Sequence, residues 1–120
     1  LNTSSIARFF ESLMSNQFLT SNSSKRLKKY LYRSLIPLER QANPENQIDG
    51  FLGEGLSQSC EIWSKAGWMS QARHDAAWWK ESDKYPMLVV IFSKGKALSK
   101  DNIFLPSIAK ELKNYGQQIT

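Results

Sequence analysis

The sequence predicts an α+β domain: a small antiparallel sheet of about three strands, preceded by a pair of helices and followed by one more. Three observations lead there. Apolar residues recur at helical spacing through the first third of the chain, short strand-like runs follow Ser59, and a second helical stripe lies near the C-terminus.

Over about residues 4–17, Ile6, Phe9, Phe10, Leu13 and Met14 share one helical face, with Thr3, Ser4 or Ser5 placed to cap it. A short connection through Phe18 and Leu19 leads to the polar run at 20–24, which offers caps for a second helix ending before Pro37. The two form a hairpin over 4–36. In the second helix Lys25, Arg26, Lys28, Lys29 and Arg33 point one way, and Leu27, Tyr30, Leu31 and Leu35 the other. This is the pattern of a surface helix with a solvated basic face. Residues 37–58 mix Pro37, Pro44, Gly50, Gly53 and Gly55 with Asn and Gln and keep no period, so they read as a long loop or insertion.

From residue 59 the expected elements are strands at about 60–66, 74–81 and 86–93. The polar run at 81–84 fits a hairpin turn and the connection at 67–72 another, so the pairing is antiparallel. The third run, Met87-Leu88-Val89-Val90-Ile91-Phe92, is apolar at every position, which implies burial on both faces. At about 102–115, Leu105, Ile108, Ala109 and Leu112 form a helical stripe with Asp101 or Asn102 as cap. Pro106 falls in the first turn, where its missing N–H costs least. The terminal helix covers one face of the sheet and the helix pair the other.

With 120 residues, 41% of them hydrophobic and 22% charged, the chain suits a single domain with a real core. No apolar run approaches the roughly 18–20 residues that span a bilayer, so no membrane span is expected. Cys60 has no second cysteine to pair with, and a lone His74 completes no familiar metal-ligand spacing, so neither metal nor cofactor is expected. The net charge of +5 is concentrated on the basic helix face without aromatic or glycine-rich contact elements, and no nucleic-acid partner is expected.

The most informative stretch is Ser64-Lys65-Ala66-Gly67-Trp68. A lysine near the end of a strand can attract a ligand carboxylate, and a glycine two residues on lets backbone approach a reacting carbonyl. The order of elements adds to it: helix pair, strand with Lys65-Ala66-Gly67, hairpin opening Arg73-His74-Asp75-Ala76, apolar strand, C-terminal helix. Together these resemble the C-terminal part of the class A β-lactamases and related penicillin-recognising serine hydrolases, over nearly the whole chain; residues 1–120 would then be the C-terminal portion of one such domain, with sheet and terminal helix at 59–116.

In that family the site combines a Ser-x-x-Lys nucleophile motif, a Ser-Asp-Asn loop and a Lys-Thr/Ser-Gly strand, with a glutamate in class A for the deacylating water. Only the last motif is present in context. The resemblance implies that Lys65 holds a substrate carboxylate, that Gly67 permits close backbone approach, that the N–H of Trp68 is one oxyanion-hole donor, and that Arg73 assists carboxylate binding. Ala66 departs from the pattern, since the family places a hydroxyl there and alanine has none. Ser93-x-x-Lys96 and Ser107-x-x-Lys110 satisfy the nucleophile motif but lie downstream of the Lys-Gly strand, and read as surface coincidences; so do Ser82-Asp83-Lys84 in the turn and Glu39 with Asn43 in the loop. His74 is expected to make a structural hydrogen bond with its neighbour Asp75, and Cys60 to be a small core residue.

The expected function is therefore that of the C-terminal part of a β-lactamase-like serine hydrolase, inactive alone and completed by a nucleophile-bearing part. The alternatives are a catalytically degenerate relative that binds a ligand or peptide and, behind it, a basic interaction module. Expected partners are the missing N-terminal part, or a second copy through strand 87–92, and a β-lactam or peptidoglycan-like ligand. The resemblance suggests a secreted or periplasmic protein.

Overall fold

In the computed structural model, residues 2–17 and 20–115 are described. Helix α1 (Thr3–Met14) is capped by Asn2, whose Oδ1 accepts the Ser5 N–H at 2.9 Å, one position ahead of the hydroxyls that the sequence offered. It ends where Asn16 adopts a left-handed φ of 60°, a conformation asparagine tolerates better than most residues. The expected connection through Phe18 and Leu19 lies outside the described residues. Helix α2 (Ser21–Leu31) is capped by the Thr20 hydroxyl, which accepts the Ser23 N–H at 3.2 Å.

Helix α2 stops well before Pro37 because Tyr32 and Arg33 leave it to form a two-residue strand, β1 (Tyr32–Arg33), paired antiparallel with Ile62 and Trp63. Sheet pairing here overrides the helical period. Tyr30, placed on the inner face by that period, is 76% exposed, and Arg33 turns inward instead of joining the basic face. The segment 37–58 is also more built than its composition suggests: it holds α3 (Pro37–Gln41), which starts on Pro37, and a short 3-10 helix, Leu52–Gly55.

The sheet has four strands, in the order β1-β2-β3-β4, all antiparallel, one more than the three read from sequence. Strand β2 (Glu61–Met69) runs past the expected end and pairs along its length with β3 (Ala72–Lys80), so Ser70 and Gln71 alone make the turn and Lys65-Ala66-Gly67 lies inside the strand. Strand β4 (Met87–Ile91) pairs only with β3 and is half-buried along its length, not enclosed as its apolar run implied. Its faces are nevertheless both used: Leu88 and Val90 pack with Phe10, Leu13, Leu31 and Ala76 under α1 and α2, and Met87, Val89 and Ile91 pack on the opposite side.

That opposite side is covered by the 3-10 helix and by α5 (Phe104–Tyr115), which a short helix not foreseen from sequence, α4 (Lys96–Lys100), precedes. Asp101 Oδ1 accepts the N–H groups of Ile103 at 2.9 Å and Phe104 at 3.2 Å, as expected of a cap, and Pro106 sits in the first turn. Leu52, Ile62, Ala66, Ala77, Trp79, Leu105 and Ala109 form the centre of this layer, joined by buried Cys60. No helix among the described residues is long and apolar enough to cross a membrane.

The two elements of that layer meet at Gly55. A Cβ there would lie 2.3 Å from the Pro106 carbonyl oxygen and 2.9 Å from Ala109 Cβ. Neither neighbour is a flexible side-chain tip, so Gly55→Ala must push α5 off the sheet. The expected loss is about 2–3 kcal/mol in a denaturant melt. A change under about 0.5 kcal/mol, the scatter of a neutral surface substitution, would contradict this packing.

Candidate active site

In an antiparallel strand, successive residues direct their N–H and C=O groups alternately to the two neighbours. On β2, Lys65 and Gly67 turn these groups toward β3, and Ser64, Ala66 and Trp68 turn them outward. Strand β1 reaches only Ile62 and Trp63, so beyond them the outer edge of β2 has no backbone partner strand among the described residues. Side chains take its place. The Ser64 carbonyl accepts from Arg33 Nε at 3.2 Å and Nη2 at 2.8 Å, the Ala66 N–H donates to Gln47 Oε1 at 2.7 Å, and the Ala66 carbonyl accepts from Lys65 Nζ. Trp68 is left with its N–H and C=O facing the open edge.

The residues singled out in the sequence converge on this edge but from both faces. Lys65 and Gly67 stand opposite Ala76 and His74 on the α1 side, whereas Ala66 and Trp68 stand opposite Asp75 and Arg73 on the α5 side. A largely apolar groove of about 370 Å³, lined by Ile6, Phe9, Lys65, Gly67, His74 and Phe92 among others, opens on the first side. A more polar cleft of about 550 Å³, lined by Glu45, Gln47, Phe51, Ala66, Trp68, Arg73 and Asn102 among others, opens on the second. Strand β2 is the partition between them. Among the described residues, no serine, threonine or cysteine lines either cavity.

Arg73, which the resemblance implied assists carboxylate binding, lines the cleft with its guanidinium already engaged by backbone carbonyls. It is 5% exposed; Nε donates to the Ser99 carbonyl and Nη1 to the Gly50 carbonyl, each at 3.1 Å. Its guanidinium packs 5.0 Å from the ring centre of Phe51 and 4.7 Å from that of Trp68. The Trp68 indole N–H also donates to the Ser99 carbonyl, at 2.7 Å. Gly50, with φ of 80°, makes the approach possible, since a Cβ there would lie 2.9 Å from Arg73 Nη1. Arg73 thus ties the loop, β3 and α4 together behind Trp68.

His74 does make a structural hydrogen bond, but not with Asp75, which lies on the other face: its Nδ1 accepts the Ser93 N–H at 3.0 Å, and the ring stacks on Phe92 at 4.6 Å. Of the two coincidental motifs, Ser107 is an exposed helix residue bonded to the Ile103 carbonyl. Ser93 is half-buried and bonded to the backbone of Arg73, so it joins β4 to β3 and is not a surface residue.

Several residues of the edge were missed by sequence reasoning. Gln47 and Phe51 sit in a segment without periodicity, and Arg33 departs from the helical stripe because the helix ends at Leu31. The Gly50-Phe51-Leu52-Gly53 run was the one available signal, since an aromatic between glycines marks a close backbone approach.

Asp75 is the electrostatic oddity of the site. It is 1% exposed; Oδ2 accepts the Leu52 N–H at 3.0 Å, and Oδ1 has no hydrogen-bond partner among the described residues. Burial pushes its pKa up to about 7, against the favourable hydrogen bonds to backbone N–H and the charges of Arg33 and Lys65. The folded pKa lies above the unfolded one, so the folded state holds a proton that the unfolded state has lost between about pH 4 and 7. Stability should fall through that window by about 1.4 kcal/mol per pH unit, and level off above it. Denaturant melts of Asp75→Asn should lose this slope; the same slope in both proteins would assign it elsewhere.

Chemically, an open strand edge with a backbone donor at Trp68 and an ammonium at Lys65 suits binding a polarised carbonyl or an anionic group. A variant of the class A β-lactamase of the last common ancestor of Gram-negative bacteria superposes with a TM-score of 0.67 at 17% identity, over 92% of this chain and 38% of its own. A point mutant of the same ancestral enzyme gives 0.66 at 18%, over 91% and 38%. The chain thus spans well under half the length of these solved structures, which share its fold. No protein of curated description matches. The model of the β-lactamase enzyme family matches residues 2–115, and the chain belongs to that family.

Proposed function

We propose that this chain is the C-terminal part of a class A β-lactamase-like serine hydrolase and forms one wall of an acyl-transfer site whose nucleophile comes from the rest of the protein. The observation that carries the reading is the open edge of β2, where Trp68 directs its backbone N–H outward beside Lys65 with no partner strand. Lys65 would hold the anionic group of the substrate, and the Trp68 N–H would stabilise the oxyanion as the acyl-enzyme forms and hydrolyses. Gly67 keeps the intervening strand face free of a side chain.

A second reading, a relative that binds a ligand without turnover, has specific support. Ala66 supplies no hydroxyl, and Arg73 is engaged by two backbone carbonyls. The two readings separate in the full-length protein incubated with a fluorescent penicillin. A hydrolase should become covalently labelled, Lys65→Ala should slow labelling by about 100-fold, and Ala66→Ser or Ala66→Thr should speed turnover by about tenfold. No labelling by the parent or by either hydroxyl variant would leave the binding-only reading.

The rest of the protein is also the partner proposed for β4, whose outer edge is unpaired among the described residues. The isolated 120-residue chain should therefore self-associate through 87–92. Light scattering and amide exchange test this: a monodisperse monomer with slowly exchanging β4 edge amides would contradict it.

A further inference from the structure

We propose that Gln47 is a specificity-determining residue, which closes the β2 edge at Ala66 so that a ligand pairs with the edge through a single amide plane at Trp68 and an extended peptide gains no further backbone pairing. The proposal rests on the β2 edge being the ligand wall, as above, and names the kind of ligand that wall admits.

An open strand edge ordinarily accepts another strand, because each outward residue offers an N–H and a C=O to an added chain. On β2 that ladder is blocked rung by rung. Arg33 holds the Ser64 carbonyl, Lys65 holds the Ala66 carbonyl, and Gln47 holds the Ala66 N–H at 2.7 Å. The Gln47 carbonyl oxygen also accepts Arg33 Nη2 at 3.2 Å, so two donors fix it in place. A side-chain amide thus stands where the peptide group of an incoming strand would stand, and among the described residues Trp68 is the outward residue beyond β1 with neither its N–H nor its C=O held.

Gln47 is held there by its neighbours. The Asn46 side chain accepts the N–H groups of Ile48 at 3.0 Å and Asp49 at 2.8 Å, and donates to the carbonyls of Arg40 and Asn43 at 3.1 and 2.9 Å. Asp49 pairs with Arg40 at 2.7 Å, and Ile48 is buried at 1% exposure. Gln47 therefore lies between a pinned residue and a buried one, and displacing its side chain would leave the Ala66 N–H and the Arg33 guanidinium short of a partner. A peptide that pairs with Trp68 alone meets no such cost. One that continues past Trp68 toward Ser64 must evict Gln47.

The test compares two probes on the full-length protein: N-acetylalanine methylamide, which carries one residue, and the blocked hexapeptide acetyl-(Ala-Ser)3-amide. Affinities are read from the backbone amide shift of Trp68, alongside amide exchange at Ala66. In the parent the two probes should bind within about twofold of each other and Ala66 should exchange slowly. Gln47→Ala should let Ala66 exchange fast and favour the hexapeptide about fivefold for each backbone hydrogen bond gained. Gln47→Glu, which keeps an acceptor for Ala66 and Arg33, should behave as the parent does. A hexapeptide preference already in the parent, an unchanged preference in Gln47→Ala, or binding of neither probe by Gln47→Ala would each overturn the proposal. Failure of the hydrolase reading would show separately, as absence of penicillin labelling, and would leave this ratio as it is.

Discussion

Strands β2 and β3 pair residue for residue from Glu61 opposite Lys80 to Met69 opposite Ala72, and that register determines where every group of the site lies. A slip of one residue would exchange the two faces. Trp63, Lys65 and Gly67 would turn toward α5, and Ile62, Ser64 and Ala66 would lose their places in the layer under it. The apolar pattern holds the register because both faces are packed: Ile62, Ala77 and Trp79 against Leu52 and Leu105, and Trp63, Trp78 and Ala76 against Phe10 and Leu13. The same register fixes backbone direction, leaving the polar groups of Ser64, Ala66 and Trp68 on the outer edge. Core packing and site geometry are thus two results of one pairing.

The site departs from the consistency that the rest of the fold keeps. Asp75 is buried with one carboxylate oxygen unpaired, Arg73 is enclosed between loop and strand, and an edge lacking a strand is closed by side chains. The unpaired Asp75 oxygen costs stability, and all three features lie close to Ala66. Such local inconsistency is where functional sites are found, because groups held for ligand or catalysis are not free to satisfy the fold. Ser64, whose buried hydroxyl also lacks a partner, belongs to the same neighbourhood.

How far the sequence could be read follows from which forces were local. The first helix and the last carry apolar stripes long enough to define them alone, and Asp101 caps the last as its position suggests. The β2–β3–β4 meander was legible because strand runs and polar turns alternate. Strand β1 was not, since two residues hold no period and their strand character comes from pairing with Ile62 and Trp63. Arg33 was misplaced for the same reason. The half-burial of β4 was misjudged because an apolar run reports two packed faces but not whether the outer edge is paired. Family resemblance singles out Lys65, Ala66, Gly67, Trp68 and Arg73; the first four are consecutive on β2 and alternate between its two faces, while Arg73 lies across from Trp68 on β3 and is engaged by the Gly50 and Ser99 carbonyls. Gln47 left no trace in the sequence: its role depends on an acceptor meeting one N–H across a chain separation that no spacing rule covers.

What links fold, family and proposed chemistry is the claim that β2 has a closed rung at Ala66 and an open one at Trp68. Residue-resolved amide exchange along β2 of the full-length protein, without ligand, examines it directly. Lys65 and Gly67, bonded to β3, and Ala66, bonded to Gln47, should be protected, while the Trp68 amide should exchange near the rate of an unstructured chain. Protection of Trp68 equal to that of Gly67 would mean that the edge is already occupied, and would contradict the account.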